Sequence, residues 1–232
     1  MEIKDYESFL KEEITNVIQV ILLKNEILKI SAKSRAGAEI GDWLEDAFVS
    51  ATKQHKYIVD SESSPKGQTK HPWDARIFFT MNGHREEIWI DFKAFKLSSV
   101  DSNPDIGTPN KIIKFIEEGG FYLIYIHVFY EEHKTGLKFV KSDGCYVKSY
   151  FLKDISATFR RTPTNQLQVN MSAKPTYRTR EEFIDLLMKK LSEGLERQLK
   201  NAQLKLSEVD KKTISLKERN LVSEKVIQEK IQ

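Results

Sequence analysis

Residues 74–93 read Asp74-Ala-Arg-Ile-Phe-Phe-Thr-Met-Asn-Gly-His-Arg-Glu-Glu-Ile-Trp-Ile-Asp-Phe-Lys93. The central Asn-Gly pair, flanked by strand-forming residues, is the strongest short signal for a β-hairpin with a two-residue turn. With Asn82-Gly83 in the turn, Asp74 lies opposite Asp91, and their Cβ atoms are about 4.5–5.5 Å apart. Side chains alternate along a strand, so Lys93 shares the face of Asp91. The pattern predicts two carboxylates and an ammonium group on one face of a sheet.

Two interpretations fit these charges: a solvent-exposed hairpin face, or a divalent-metal site for hydrolysis. The neighbouring residues favour the second. Trp89 shares the face of Asp91, while Ile88 and Ile90 lie on the opposite face, so both faces of the strand look covered. Aspartate is a poor strand former, and burying it without a partner is unfavourable. A bound cation would offset that cost, and Lys93 would reduce the repulsion between the carboxylates.

The composition predicts one globular domain with an extension. The chain has 232 residues, of which 40% are hydrophobic, and a net charge of +3, which is weak evidence for a polyanionic partner. The N-terminus lacks the features of a signal peptide, and no apolar run approaches the roughly 20 residues that span a bilayer. The single cysteine, Cys145, excludes an intrachain disulfide and a cysteine-rich zinc site. We expect a cytoplasmic protein with no membrane partner.

The hydrophobic patterns outside the hairpin alternate between helical and extended periods. Helices are predicted from the N-terminus to about residue 23, over residues 38–52, and from Thr108-Pro109 to Gly119-Gly120. Further strands are predicted over residues 121–130, 136–140, 146–152 and 166–171, and the polar residues 53–70 predict a mobile loop. The fold class is therefore α/β, more strictly an α+β mixed sheet flanked by helices.

The C-terminal region has a helical pattern of its own. Thr179-Arg-Glu-Glu182 is a capping box. The apolar stripe that follows is Leu187, Leu191, Leu195, Leu199, Ala202, Leu206 and Val209. No aromatic residue follows Phe183, so this region is not expected to form a core of its own. We divide the chain into a core with recognition segments (residues 1–178) and a C-terminal helical region (residues 179–232), which packs on the domain or a partner, or is partly frayed.

A third carboxylate is predicted on the helix of residues 38–52. Glu45 lies at the border of its apolar stripe, together with Ala38 and Gly41. These small residues would let the helix approach a sheet closely, so that Glu45 reaches its edge. The alternative is a glutamate in solvent, and Glu39 and Asp46 are less favoured candidates.

Glu45, Asp74 and Asp91-Phe92-Lys93 together resemble the PD-(D/E)xK nuclease superfamily. Its usual form is a Glu-bearing helix, an aspartate at a hairpin strand, and Asp/Glu-x-Lys on the next strand. Trp73 separates Pro72 from Asp74, so the literal Pro-Asp is missing. The resemblance implies a PD-(D/E)xK restriction-endonuclease-like core with a long C-terminal helical extension.

A second set of residues fits the letters of the motif better. Pro104-Asp105 is followed by Glu132-His133-Lys134. We favour the hairpin set, because Asp105 is expected in a loop before a helix and Glu132 and Lys134 in a charged turn just past a buried strand.

The resemblance extends to type II restriction endonucleases of the SwaI type. The stretches that carry it are Pro72-Trp-Asp-Ala75, Glu87-Ile-Trp-Ile-Asp-Phe-Lys-Ala-Phe-Lys96, Asp101-Ser-Asn-Pro-Asp-Ile-Gly-Thr-Pro-Asn-Lys111 and Pro175-Thr-Tyr-Arg-Thr-Arg-Glu-Glu-Phe183. The resemblance implies cleavage of double-stranded DNA at the palindrome ATTTAAAT, with blunt ends and 5′-phosphate products. A palindromic target implies a homodimer in which each subunit cuts one strand. A cognate DNA methyltransferase is the implied protective counterpart.

The oxygen-rich set of ligands predicts Mg²⁺ as cofactor, with Mn²⁺ as a substitute. Asp74, Asp91, the Phe92 carbonyl and Glu45 are the expected metal ligands, and Lys93 would orient the attacking water and stabilise the developing charge. The catalytic set is thus Asp74, Asp91, Lys93 and Glu45.

DNA recognition is predicted in residues 165–180. Gln166, Gln168 and Asn170 share a strand face, and amides bind adenine bidentately in the major groove. An ordinary polar strand face is the alternative. Basic and aromatic residues nearby are candidate DNA contacts, namely Arg178, Arg180 and Tyr177. The rival functions are a non-specific or structure-specific nuclease of the same fold and a non-catalytic DNA-binding protein.

Overall fold

Four α-helices and two β-sheets make up the part of the chain that the computed structural model describes, namely residues 2–30, 36–65, 73–99, 105–156, 158–161, 166–170 and 173–231. The helices are α1 (Ile3–Lys24), α2 (Ala36–Thr52), α3 (Pro109–Glu117) and α4 (Arg180–Ile231), with single 3-10 turns at Leu97–Ser99 and Leu152–Asp154. The strands are β1 (Ile27–Leu28), β2 (Ile58–Ser63), β3 (Ala75–Met81), β4 (His84–Lys96), β5 (Asp105–Gly107), β6 (Tyr122–His133), β7 (Gly136–Val140), β8 (Val147–Phe151), β9 (Arg160–Arg161) and β10 (Leu167–Gln168).

The predicted hairpin, β3 and β4, lies inside a seven-stranded mixed sheet. The strand order is β1-β7-β6-β4-β3-β2. β8 and β7 both pair with the edge of β6 that faces away from β4: β8 with residues 124–128, and β7 with residues 129–133. β4 and β6 run parallel, with Asp91 beside Tyr125 and Lys93 beside His127. The first nine residues of β6 are buried. β6 is therefore the central, doubly covered strand that its apolar run predicts.

Helices cover both faces of this sheet. On one face the Phe92 ring of β4 meets Phe48 of α2, with 5.9 Å between centroids, and α1 packs against α2 and β8. On the other face Trp89 stacks on Phe115 of α3, with 3.7 Å between centroids. The predicted mixed sheet flanked by helices is confirmed.

A small three-stranded sheet, β5-β10-β9, lies on the same face as Trp89. The Tyr125 hydroxyl of β6 donates to the Ile106 carbonyl of β5 at 3.3 Å. Because Tyr125 is beside Asp91, this bond places the small sheet near the charged group of the hairpin.

Two local predictions were wrong. Residues 58–63 of the expected mobile loop form strand β2, which pairs with β3; residues 66–70 lie outside the described part. The strand expected over residues 166–171 spans only Leu167–Gln168. The predicted start of α3 is confirmed: Thr108 is its N-cap residue, without a side-chain capping bond, and Pro109 is its first helical residue. None of the helices in the described ranges combines the length and apolar content that a bilayer-spanning segment needs.

Candidate active site

The turn between β3 and β4 places Asp74 opposite Asp91. Both residues of Asn82-Gly83 have positive φ, 49° and 80°, as a type I′ turn requires. The cross-strand pairs keep one register along the hairpin and end at Ala75 with Ile90. The Asp74 N–H then donates to the Ile90 carbonyl at 2.9 Å, which extends the ladder by one residue. The predicted register is confirmed.

Asp91 and Lys93 form a largely buried ion pair. Lys93 Nζ lies 2.5 Å from Asp91 Oδ1, and Asp91 is 8% exposed. At this distance the Lys93 ammonium stabilises the charged form of the Asp91 carboxylate directly. Burial raises the pKa of Asp91 to about 7, with Lys93 opposing and Asp74 adding to the rise. Burial disfavours the Lys93 ammonium, but Asp91 and Asp74 outweigh it and raise the pKa of Lys93.

Asp74 is bonded to β4 through its side chain. The Phe92 N–H donates to Asp74 Oδ2 at 2.6 Å. Burial raises the pKa of Asp74, whereas the Lys93 charge and the Phe92 N–H lower it. Asp74, Asp91 and Lys93 therefore act on one another as a single electrostatic group. Whether the Phe92 carbonyl binds a metal stays a prediction.

Glu45 reaches this group from α2. Ser64, just past β2, donates its hydroxyl to Glu45 Oε2 at 3.1 Å. Burial and then the charge of Asp74 raise the pKa of Glu45 to about 7, against the opposing effect of Ser64. The side chains of Glu39 and Asp46 are exposed. Of the three acidic candidates on this helix, Glu45 is therefore the one whose side chain is half-buried next to the hairpin.

The close approach of α2 to the sheet depends on Gly37. A Cβ added at Gly37 would lie 3.1 Å from the Ala94 carbonyl of β4, whereas one added at Gly41 would meet no atom within 4 Å. The prediction that Gly41 permits the approach was therefore wrong. Gly41 borders open space, one turn further along the helix.

The chemistry of these side chains suits a divalent cation. Within the described ranges, no group of three or more His, Cys, Asp and Glu side chains is spaced as a ready-made metal site. The donors are nevertheless all oxygens, as Mg²⁺ prefers. The pKa values of Asp74, Asp91 and Glu45 are all raised, and in each case burial is the largest cause. A cation between these carboxylates would favour their charged forms.

Two residues of β6 line the same face and were missed by the sequence analysis. Tyr125 is buried, and burial together with Asp91 and Asp74 raises its pKa well above the ordinary value. His127 is 1% exposed, and neither of its ring nitrogens has a hydrogen-bond partner among the residues that the structure describes. Burial, Lys93 and Lys148 lower the pKa of His127 to about 3, so the imidazole is neutral. The sequence does contain a signal for these two residues, because Tyr125 and His127 are two positions apart in the otherwise largely apolar run of residues 121–130.

The alternative motif set is not brought together as a site. Asp105 is exposed on β5 rather than in a loop, and its charge contributes to the raised pKa of Lys93. Glu132 lies at the exposed end of β6, not past it, and pairs with Lys96 at 2.6 Å. Pro104 lies outside the described residues.

The three amide candidates for base recognition are half-buried. Gln166, Gln168 and Asn170 share this partial burial, whereas Leu167 between them is fully buried. Asn170 lines a small cavity together with Tyr125 and His127. The segment is therefore close to the acidic group, and its role in reading bases stays a prediction.

The basic candidates for DNA contact are engaged within the protein. Arg178 donates its guanidinium to the carbonyls of Lys153 (2.9 Å) and Ile155. Arg180 pairs with Glu86 at 3.2 Å and lies 4.8 Å from the centroid of the Tyr122 ring. These contacts give both arginines a structural role, and their contact with DNA stays a prediction.

Tyr177 also contacts the domain. Its ring is 41% exposed, and Lys153 Nζ lies 4.1 Å from the ring centroid. Contact of Tyr177 with DNA stays a prediction.

Comparison with known proteins identifies a family. A family model named SwaI-like, the SwaI restriction endonuclease, matches residues 2–209. Among solved structures, the NlaIV restriction endonuclease is similar at 14% sequence identity and a TM-score of 0.43, over 69% of this chain; the match spans 66% of the NlaIV chain, just under two thirds of its length. No curated protein matches the sequence. Because the family model covers most of its residues, the chain belongs to the SwaI-like restriction endonuclease family.

Proposed function

We propose that the protein is a Mg²⁺-dependent type II restriction endonuclease with a PD-(D/E)xK core. The observation that carries the proposal is the largely buried group of Asp74, Asp91 and Lys93, with Glu45 beside it. Two carboxylates held across a hairpin and a lysine 2.5 Å from one of them are suited to phosphodiester hydrolysis. Membership of a restriction endonuclease family supports double-stranded DNA as the substrate.

Each side chain has a distinct task in this reaction. Asp74, Asp91 and Glu45, with the Phe92 carbonyl, would hold the cation, for which Mn²⁺ substitutes. A bound Mg²⁺ polarises the scissile phosphate and lowers the pKa of its water. Lys93 keeps its proton because its pKa is raised, so its ammonium orients the attacking water and stabilises the negative charge that develops on the phosphate.

The DNA sequence that the enzyme recognises is inferred from a close relationship to SwaI, and that relationship is itself part of the proposal. The enzyme cuts ATTTAAAT to blunt ends with 5′-phosphates, and two copies related by a two-fold axis each cut one strand. Gln166, Gln168 and Asn170 are the proposed readers of adenine. Such an enzyme works in the cytoplasm and requires a cognate methyltransferase to protect the host DNA.

A plasmid digest tests the function directly. A plasmid with one ATTTAAAT site is incubated with the protein in Mg²⁺, Mn²⁺, Ca²⁺ or EDTA, and the fragment ends are sequenced. We expect one blunt cut with Mg²⁺ or Mn²⁺ and none in EDTA. Ca²⁺, whose larger and looser shell positions water poorly, should support binding but little cleavage. The Lys93→Ala protein is the control for a contaminating nuclease.

Other outcomes of the digest select the rival functions. Cleavage at many unrelated sequences would indicate a non-specific or structure-specific nuclease. A gel shift without cleavage under any divalent ion would indicate a DNA-binding protein. Full cleavage in excess EDTA would remove the metal from the mechanism.

A further inference from the structure

Helix α4 extends far beyond the surface on which it begins. Its buried residues, Phe183, Leu187 and Gly194, all lie near its N-terminal end. Residues 199–231 are exposed throughout, a length of roughly 50 Å at the 1.5 Å rise of a helix. Helices in proteins are stabilised mainly by packing of an apolar face. This segment has such a face but no packing partner within the described part of its own chain.

Some apolar side chains of this helix follow a heptad repeat, whereas Leu204, Ile214, Leu221, Val222 and Val226 lie off it. We call the heptad stripe the residues that alternate four and three positions apart: Leu195, Leu199, Ala202, Leu206, Val209, Thr213, Leu216 and Asn220. Leu199 and Leu206 are 61% and 65% exposed. A 3.5-residue period is typical of the seam of a left-handed coiled coil, so it matches another helix better than a globular surface.

The charged residues on the two sides of the heptad stripe favour a parallel over an antiparallel orientation of the partner helix. One flank carries Lys205, Lys212 and Arg219, and the other carries Asp210, Lys217 and Glu224. In a parallel pair, each residue of the first flank meets the residue five positions further along the other helix. Two of the three contacts then join opposite charges. In an antiparallel pair the three basic residues of the first flank face one another.

A polar residue within the heptad stripe supports the same arrangement. Asn220 is at a seam position, where a single asparagine fixes the register and favours a two-stranded parallel coil. In a parallel, in-register pair, Asn220 of one copy meets Asn220 of the other.

We propose that α4 pairs in parallel with α4 of a second copy through the heptad stripe. The inference deepens the two-fold dimer of the proposed function, and rests on that function for the symmetry of the pair. It assigns dimerisation to the C-terminal helix instead of the sheet domain.

The molar mass of the full chain in solution tests the proposal, with a matched pair of variants. Leu206 lies in the heptad stripe and Leu204 on the outer side of the same helix, where it is 56% exposed. We expect wild type and Leu204→Glu to have twice the chain mass of 27.0 kDa by light scattering. Leu206→Glu should shift to the mass of one chain. A monomeric wild type, or a Leu206→Glu protein as dimeric as Leu204→Glu, overturns the proposal.

Cross-linking tests the orientation, even if Leu206→Glu perturbs the helix. In a Cys145→Ser background, Thr213→Cys lies in the seam and Ser215→Cys lies outside it. Mild oxidation should link two chains through position 213 and much less through position 215. Equal linkage at both positions, or none at 213, overturns the parallel seam.

These readouts do not depend on cleavage. The Asp91→Asn protein should be as dimeric as wild type. A dimer that never cuts DNA would defeat the proposed function alone, whereas an enzyme that cuts and whose Leu206→Glu variant stays dimeric would defeat the inference alone.

Discussion

The charged forms of Asp91 and Lys93 stabilise each other in a largely buried environment. Replacing Lys93 by Ala removes the ammonium group 2.5 Å from Asp91. We expect the cleavage rate to fall by about 10²–10³-fold or more, the range seen when one charge-stabilising group is lost. Binding to cognate DNA should persist, because phosphate and base contacts elsewhere position the duplex. Single-turnover cleavage and gel-shift titration measure the two effects separately.

Asp91→Asn and Glu132→Ala complete this comparison. Asp91→Asn keeps the shape of the side chain and should also abolish cleavage in a folded protein. Glu132 is exposed and pairs with Lys96 at 2.6 Å, away from the acidic group, so Glu132→Ala should cut nearly as well as wild type. Wild-type rates for Asp91→Asn, or an inactive Glu132→Ala protein, would transfer the assignment to the alternative motif.

The raised pKa values of the acidic group predict how stability varies with pH. Burial raises the pKa of both Glu45 and Asp91 to about 7, so the folded chain keeps protons that the unfolded chain has already released. In EDTA, the free energy of unfolding should therefore fall as pH rises from about 4 to about 7. Glu45→Gln should flatten this slope, because a neutral amide does not titrate. Denaturant unfolding at a series of pH values measures it.

Glu39→Gln is the control for this experiment. Glu39 lies in the same helix but is exposed, so its replacement should leave the slope unchanged. A Glu45→Gln slope equal to that of wild type would mean that Glu45 carries its charge in the folded protein at low pH.

The facing carboxylates were predictable because the residues that determine their pairing are close together in the sequence. Asn82-Gly83 determines the turn, and the turn determines which residue faces Asp91. Tyr125 and His127 were not predictable in the same way, since their positions depend on the register of a parallel strand whose paired residues are 34 positions away in sequence. Their burial beside Asp91 and Lys93 follows from the β4–β6 pairing, for which the sequence contains no comparable short signal.

Helix α2 contains two glycines that should respond in opposite ways to an added methyl group. At Gly41 a Cβ meets no atom within 4 Å, so Gly41→Ala should stabilise the protein by about 0.5–1 kcal/mol through the entropy of the unfolded chain. At Gly37 the Cβ would lie 3.1 Å from the Ala94 carbonyl, whose strand is paired there with Val128 of β6. Gly37→Ala should therefore be less stable than Gly41→Ala. Denaturant titration of both variants checks the order, and the reverse order would contradict it.

Long apolar elements were predicted better than short polar ones. Helices α1 and α3 and strand β6 have strong periodic patterns and were located correctly. Strand β2 was taken for a loop because it is an edge strand whose exposed positions carry Asp60 and Glu62. Arg178 stays a candidate phosphate contact, but the sequence does not show that its guanidinium also donates to the Lys153 carbonyl.

The two-fold dimer of the proposed function predicts where the loss of a base contact should appear. If Gln168 reads an adenine, Gln168→Ala should lose about 1–3 kcal/mol of discrimination at one base pair. The loss should appear in both half-sites, because a dimer presents each residue twice. Cleavage of a library of single-base site variants measures the profile.

An unchanged profile would show that Gln168 reads no base. The readers would then be sought in residues 105–110, since β5 pairs with β10 and brings that segment beside Gln168. A uniform loss at all positions would instead indicate damage to the small sheet.

The parallel pairing of β4 with β6 should determine the order in which the acidic group is assembled. β3 and β4 are joined by two residues, whereas β4 reaches β6 through a crossover of residues 97–121. Hairpins form in about 1–10 μs, and pairings distant in sequence form later. In pulse-labelled hydrogen exchange we expect β3 amides to gain protection before those of β6. Asp74 and Asp91 would thus meet while water still solvates both carboxylates, and Tyr125 and His127 would cover them afterwards.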